Sequence, residues 1–414
     1  MKKPIITSIV AVILICTVLF NLTGCITVSA VDLMDGIEAN SVNDADLNEL
    51  NASVTDFAIR MFAASENGEN VFISPVSILL ALAMTSNGAA GDTLIQMEQV
   101  FGIKRDEINE YLHTYLNSLT CGEKSKLAIA NSIWFKKDPR LTVKESFLQK
   151  NADYYGAEIY KTPFDITTLA DINSWVNRET NGMIPTIIER IPKDNIMYLI
   201  NTIAFEAEWA STYKSNQVRT GIFTKEDGTE QRADFMYSTE RKYIEDEYAK
   251  GFIKNYKGKY AFVALLPNED VSLSQYISTL NGERIANMLA SPVNTTVKTS
   301  LPKFTTRFEA DIADVLFEMG MTDAFDVYSA DFSDLGSYEE QNIYIGSVLH
   351  KTYIDVAELG TKAAAVTVVS MKNGSAEPPV DPKEVYLNRP FLYMIIDTEN
   401  NIPLFIGSMK DIKQ

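Results

Sequence analysis

The chain has 414 residues, of which 46% are hydrophobic and 22% charged, an ordinary composition for a globular protein with a large core. Its net charge of −18 argues against nucleic-acid binding, because phosphate contacts need clustered Lys and Arg. It has two histidines and lacks a nucleotide-binding glycine motif, a nucleophile elbow and zinc-ligand spacing. We therefore predict no enzyme, no cofactor and no metal site, although the sequence leaves a pair of catalytic carboxylates open.

The N-terminus, MKKPIITSIVAVILICTVLFNLTGC, combines two lysines with an apolar run over residues 5–20. This order predicts a secretory signal peptide over residues 1–24. The ending LTGC resembles the lipobox of bacterial lipoproteins, which implies a lipid on Cys25 and a membrane-anchored or secreted, extracytoplasmic protein. An uncleaved membrane anchor is the alternative. The polar, acidic stretch that follows is interpreted as a tether, so that residues 25–47 form the lipidated Cys and its linker.

From residue 48 onward, helical and strand-like segments are interspersed without a regular alternation. Helical spacing predicts helices over LNELNASVTDFAIRMFAAS, on both sides of Asn87-Gly88, over DINSWVNRET and over EADIADVLFEMG. Apolar or alternating runs typical of strands are NVFIS, LAIANSIWF, NIMYLINTIAFEAEW, KYAFVALLP, NTTVKTSLPKF, KTYIDVAEL, PFLYMIID and IPLFIGSM. This mixture predicts a single α+β domain over residues 48–414.

The segment GTKAAAVTVVSMKNGSAEPPVDP, residues 360–382, has two halves of different character. Residues 361–377 contain no proline, whereas three prolines fall in the next five residues. Because each proline removes a donor from a β ladder, only the first half could become a central strand. Under the two-residue period of a strand, Lys362 and Lys372 share one face. The uncharged face carries Thr361, Ala363, Ala365, Thr367, Val369 and Met371.

Several segments make the chain resemble the serpin family over residues 48–414. They are NVFISPVSI at 70–78, LINTIAFEAEW at 199–209, LPKF at 301–304, VLHKTYIDVAELGTKAAA at 348–365, and the C-terminal NRPFLYMII and PLFIGSM. The resemblance implies three β-sheets, eight or nine helices and an exposed reactive-centre loop. It also implies a monomer that inhibits serine proteases irreversibly. The protease cuts the loop and forms a covalent acyl complex, and the cut loop then inserts into the central sheet.

The resemblance also implies roles for particular residues. The hinge of the loop is expected at Glu358, Gly360, Thr361, Lys362, Ala363, Ala364 and Ala365. A polar cluster beneath the central sheet is expected from Ser74, Ser77, Asn201 and His350. Trp209, Lys303 and Glu358 match the region where the loop enters, with Lys303 and Glu358 as an ion pair.

The same resemblance predicts the attacked bond from its distance to the hinge. Counting sixteen residues on from Glu358 gives the bond between Gly374 and Ser375. The alternatives are Asn373, Lys372 and Met371. A glycine before the attacked bond favours an elastase- or subtilisin-like target with a small primary pocket. Two other functions stay open, namely a non-inhibitory binding protein of the same fold and a lipoprotein solute-binding domain with two lobes.

Overall fold

The computed structural model of the protein describes residues 30–119, 125–191, 195–339, 341–361 and 381–413. Outside these residues lie the predicted signal peptide, Cys25, the hinge residues Lys362, Ala363, Ala364 and Ala365, and the candidate cleavage residues Met371, Lys372, Asn373, Gly374 and Ser375. Within the described part of the chain, no helix combines the length and apolar character needed to cross a membrane.

The described residues form nine α-helices. They are α1 (Asn51–Ala64), α2 (Pro75–Ser86), α3 (Gly91–Phe101), α4 (Arg105–Ser118), α5 (Glu145–Tyr155), α6 (Ile166–Glu179), α7 (Leu273–Ser278), α8 (Gly282–Ala290) and α9 (Ala313–Glu318). Short 3-10 helices occupy Leu47–Glu49, Ser215–Gln217 and Asp323–Phe325.

The same residues form eighteen strands. They are β1 (Val31–Asp32), β2 (Phe72–Ile73), β3 (Ser125–Lys136), β4 (Leu141–Val143), β5 (Glu158–Thr162), β6 (Met197–Glu208), β7 (Val218–Thr224), β8 (Glu230–Glu245), β9 (Ala249–Asn255), β10 (Tyr260–Pro267), β11 (Val293–Pro302), β12 (Phe304–Asp311), β13 (Gly336–Tyr338), β14 (Ser347–Val356), β15 (Gly360–Thr361), β16 (Lys383–Tyr386), β17 (Phe391–Asp397) and β18 (Ile402–Met409).

These strands build three sheets, of seven, nine and two strands. The central sheet has seven strands in the order β1-β5-β3-β6-β15-β14-β12. The second sheet has nine strands, eight of them in the order β16-β11-β8-β9-β10-β17-β18-β2, and β7 pairs with the first part of the long strand β8. Strands β4 and β13 form the third sheet. The predicted α+β class, with three sheets and eight or nine helices, is confirmed.

Helix α2 lies in the middle of the core, as its uniformly apolar sequence predicts. All of its residues are buried. The side chain of Ser74 caps its N-terminus, and Pro75 occupies the first helical position, where its missing N–H is not needed. Helix α2 thereby supports the central sheet from behind, next to the residues considered below.

Two sequence interpretations differ from the structure. The predicted helix EADIADVLFEMG begins as strand, because residues up to Asp311 pair with β14 and only the part from Ala313 is helical. The predicted tether, residues 25–47, is docked on the domain over its described part. Strand β1 pairs with the edge strand β5, and the backbone N–H of Asn40 donates to Asp153 at 2.8 Å. Partly buried apolar side chains anchor this stretch on the core, namely Leu33, Met34, Ile37 and Leu47.

Candidate functional site

The two middle strands of the central sheet, β6 and β14, are joined directly over only part of their length. Their parallel pairing ends at Thr202 and Lys351. Beyond that point the two-residue strand β15 lies between them, with Thr361 opposite Ala207 on one side and Val356 on the other. The sheet therefore has an entry point, and the last described residue before the loop segment already occupies it.

A tight turn carries the chain from β14 into this entry point. The backbone N–H of Ala357 donates to the carbonyl of Gly360 at 3.0 Å, and the reverse bond measures 3.3 Å. A Cβ atom on Gly360 would lie 2.0 Å from the carbonyl oxygen of Ala207. Only glycine fits here, because any side chain would push β15 away from β6.

Residues 209–213 hold the carbonyl groups of this turn. Trp209 donates its backbone N–H to the carbonyl of Leu359 at 2.9 Å and its indole N–H to that of Ala357 at 2.8 Å. The backbone N–H of Tyr213 donates to the carbonyl of Glu358 at 3.0 Å. Three successive carbonyls of the turn, of which only that of Glu358 belongs to the predicted hinge, are thus bound by one short segment that follows β6.

Thr361 points into the core at the entry point. Its side chain is fully buried, and its hydroxyl lies 2.5 Å from the hydroxyl of Tyr256. The ring of Tyr256 stacks on that of Trp209, with 4.3 Å between the ring centroids. Burial raises the pKa of Tyr256 well above its usual value, so this tyrosine remains a neutral hydrogen-bonding partner.

The predicted ion pair at the entry point is present. The ammonium of Lys303 lies 2.8 Å from a carboxylate oxygen of Glu358, and both side chains are about one-third exposed. Burial acts to raise the pKa of Glu358, but the hydrogen bond and charge of Lys303 outweigh it and leave that pKa below its usual value. A pair this exposed contributes only about 0–1 kcal/mol, so it positions the turn more than it stabilises the fold.

The predicted polar cluster lies where β6 and β14 still pair. His350 and Asn201 are opposite each other in the sheet, and the Nδ1 of His350 lies 2.5 Å from the Oδ1 of Asn201. The backbone N–H of Ser74 donates to the Nε2 of His350 at 3.1 Å. Asn201 Nδ2 donates to the carbonyl of Ser77 and to the Oδ1 of Asn131. The cluster therefore joins β6, β14 and the start of α2.

His350 is neutral in this cluster. Burial lowers its pKa to about 3, far below the ordinary value of 6.5. The contacts fit one tautomer, because Nδ1 donates to Asn201 and Nε2 accepts from Ser74. A second proton on Nε2 would face the N–H of Ser74, so protonation would break the hydrogen bond between His350 and Ser74.

The structure places every described site residue along the gap between β6 and β14. The polar cluster lies at one end and the entry point at the other, six residues apart along β6 from Asn201 to Ala207. At about 3.3 Å per residue, this is roughly 20 Å. Sequence reasoning missed Asn131, Tyr213 and Tyr256. Asn131 could have been noticed as a lone amide in an otherwise apolar strand, but no sequence signal marks the two tyrosines.

Among the described residues, no group of three or more His, Cys, Asp or Glu side chains could hold a metal ion. The turn before β15 is held by hydrogen bonds to its backbone carbonyls, by the hydroxyl contact of Thr361 and by one ion pair. The arrangement suits a sheet that opens to admit a strand.

A comparison with protein families agrees with this geometry. Residues 52–412 match the family described as Serpin (serine protease inhibitor). The chain belongs to the serpin family. Members of this family are mostly protease inhibitors. An uncharacterized serpin-like protein of Thermococcus kodakarensis is 31% identical over 357 residues, which cover 84% of this chain and 82% of that protein.

Two solved structures bear on the state of this serpin. The native state of tengpin, a thermophilic serpin, is 46% identical with a TM-score of 0.89, covering 93% of this chain and 100% of that one. The latent state of tengpin is 44% identical with a TM-score of 0.79, covering 90% and 100%. The fold of this serpin is thus more similar to the native than to the latent state of tengpin.

Proposed function

We propose that this serpin inhibits serine proteases irreversibly, by inserting its cut loop between β6 and β14. The observation that carries the proposal is the position of β15, which pairs with both strands at the entry point. The first core-facing residue of the loop, Thr361, is already in place there. The proline-free segment follows Thr361 directly in the sequence and would continue β15.

The register of β15 predicts how far the loop can insert. Continued one for one, it brings residue 371 opposite Met197, where β6 begins. Residues 362–371 would then gain partners on both sides. About ten new hydrogen bonds at roughly 1 kcal/mol net each match a typical domain stability of about 5–15 kcal/mol. The uncut form is therefore held by a kinetic barrier.

The same register supports the proposed bond between Gly374 and Ser375. Gly374 follows Thr361 by thirteen residues, which span about 43 Å at about 3.3 Å per residue. An acyl-linked protease would be carried past Met197, the residue at which β6 begins. A cut after Lys372 would leave it about 7 Å closer to the entry point. We therefore expect an elastase- or subtilisin-like target and mostly substrate behaviour toward trypsin-like enzymes.

The proposed location follows from the N-terminus. The signal-like residues 1–24 and the LTGC ending support export and a lipid on Cys25. The targets would then be extracytoplasmic proteases met at or outside the membrane. Metabolic labelling with a lipid precursor tests this part, and a Cys25→Ala variant serves as its control. Label on the Cys25→Ala protein would mean that another residue carries the lipid.

A protease panel tests the inhibition. Elastase-, subtilisin- and trypsin-like enzymes are mixed with the protein, and complexes that survive SDS are separated and sequenced. We expect a stable complex whose released C-terminal fragment begins at Ser375. A fragment that begins at Asn373 would show cleavage after Lys372 and make trypsin-like enzymes the targets. An active-site-blocked protease must give no complex.

Rapid cleavage without any stable complex would favour the non-inhibitory binding protein instead. The solute-binding alternative requires two lobes around a ligand cleft, and the serpin fold does not have that arrangement.

A further inference from the structure

A buried lysine lies directly behind the entry point. Lys254 is on β9, and its side chain is only 2% exposed. Its ammonium lies 2.8 Å from a carboxylate oxygen of Glu240 on β8 and donates to the carbonyl of Ser211 at 3.2 Å. Glu240 is 14% exposed and also accepts a hydrogen bond from Ser238. Both charges are thus taken out of water and paired with each other.

Aromatic rings cover the same ammonium. It lies 4.4 Å from the ring centroid of Tyr213 and 5.4 Å from that of Trp209. Both distances are within the range of cation–π attraction. Lys254 therefore contacts the beginning, middle and end of residues 209–213, through the ring of Trp209, the carbonyl of Ser211 and the ring of Tyr213.

Stability alone does not account for such a pair. A buried ion pair is weak support for a fold, because desolvation offsets most of the attraction and apolar residues of similar size often serve as well. The neighbours of Lys254 suggest a different use. Residues 209–213 are the segment whose N–H groups hold the carbonyls of Ala357, Glu358 and Leu359. Lys254 therefore contacts the segment that in turn contacts the hinge.

We propose that Lys254 is a positioning residue for loop entry, which fixes residues 209–213 so that they hold β15 between β6 and β14. The proposal rests on the proposed loop insertion for its consequence, but not for its structural basis. With the segment fixed, the first two residues of the new strand are in register before the loop is cut. Without Lys254, the segment loosens, β15 leaves the sheet more often, and insertion starts later after cleavage.

Hydrogen exchange of the uncut protein tests the structural part. In Lys254→Met, we expect the amides of residues 357–361 to exchange at least tenfold faster than in the wild type. Lys410→Met is the matched control, since Lys410 is also a buried lysine, paired with Glu66 far along the sequence from the hinge. It removes a comparable pair and should leave exchange at 357–361 unchanged. Lys254→Met/Glu240→Gln removes both charges and serves if the unpaired Glu240 prevents folding.

Trapping of protease tests the consequence. Lys254→Met should form fewer stable complexes per cleaved loop than Lys410→Met. Unchanged exchange at residues 357–361 in folded Lys254→Met would overturn the proposal, whatever its thermal stability. Faster exchange with unchanged trapping would also overturn it, because positioning must then be irrelevant to entry. If the wild type traps no protease but the exchange difference appears, the proposed inhibition fails while the role of Lys254 in holding β15 stands.

Discussion

Replacing Thr361 with arginine should turn this serpin from an inhibitor into a substrate of its target protease. Thr361 is fully buried, and its hydroxyl contacts the hydroxyl of Tyr256, whose ring stacks on Trp209. The side-chain partner at this position is a phenol and not a carboxylate that could pair with a cation. An arginine here would have to leave the sheet or bury an unpaired guanidinium.

The magnitude follows from the burial. An unpaired buried charge costs several kcal/mol in a protein. If about 3 kcal/mol of this raises the barrier to insertion, insertion slows by roughly 100-fold, since each 1.4 kcal/mol is a factor of ten. The proposed cleavage site is thirteen residues away, so the protease should cut the variant as before. Hydrolysis of the acyl-enzyme then overtakes insertion.

Titration of a fixed amount of protease with the variant measures how the acyl-enzyme divides between insertion and hydrolysis. The wild type should abolish activity near an equimolar ratio, whereas Thr361→Arg should be cleaved in large excess with little stable complex. Thr361→Ser, which keeps the hydroxyl, should stay inhibitory. Thr229→Arg places the same side chain in an exposed turn and should behave as the wild type. If Thr361→Arg traps protease at the wild-type ratio, the assignment of Thr361 as the first core-facing residue of the hinge is wrong.

Three further outcomes are expected. Cleavage within residues 370–377 should raise the thermal midpoint by tens of degrees, because the cut loop then gains ladder hydrogen bonds and buried apolar contacts along its whole length. Calorimetry before and after limited proteolysis measures this, and an unchanged or lower midpoint contradicts insertion. The low pKa of His350, about 3 when folded against 6.5 ordinarily, means that the unfolded chain takes up a proton first as the pH falls. The stabilising effect of neutral His350 is therefore complete above about pH 6.5 and is lost toward pH 3, by up to about 1.4 kcal/mol per pH unit. Urea denaturation at several pH values should show that the free energy of unfolding depends less steeply on pH in His350→Asn than in the wild type. An equal pH dependence in both proteins would mean that another group titrates. A chain that begins at residue 48 should have a lower thermal midpoint than one that begins at residue 26, since it lacks the pairing of β1 with β5. Equal midpoints would mean that this docking does not stabilise the domain.

The central elements of the fold could be predicted because they depend on local patterns. The apolar sequence of α2, with Ser74 and Pro75 before it, specifies a buried and capped helix without reference to the rest of the chain. The strands at the C-terminus are equally clear from their apolar runs. The boundary near residue 311 was misplaced, because the tertiary pairing of β12 with β14 outweighs the helical spacing there. The docking of residues 30–46 was missed, because a short polar segment shows no sign of the edge strand it pairs with.

The sequence by itself determined which half of residues 360–382 is compatible with a central strand, since the absence of proline and the sorting of its lysines are local properties. It also suggested the ion pair of Lys303 and Glu358, through the resemblance to serpins. Only the tertiary structure decided what holds the hinge. Residues 209–213, Tyr256 and Lys254 come from separate parts of the chain, and their contacts with residues 357–361 depend on how β6, β9 and β14 pack together. Buried hydrogen bonds and ion pairs depend on distances of a few ångströms between such segments, and no spacing along the sequence encodes those distances.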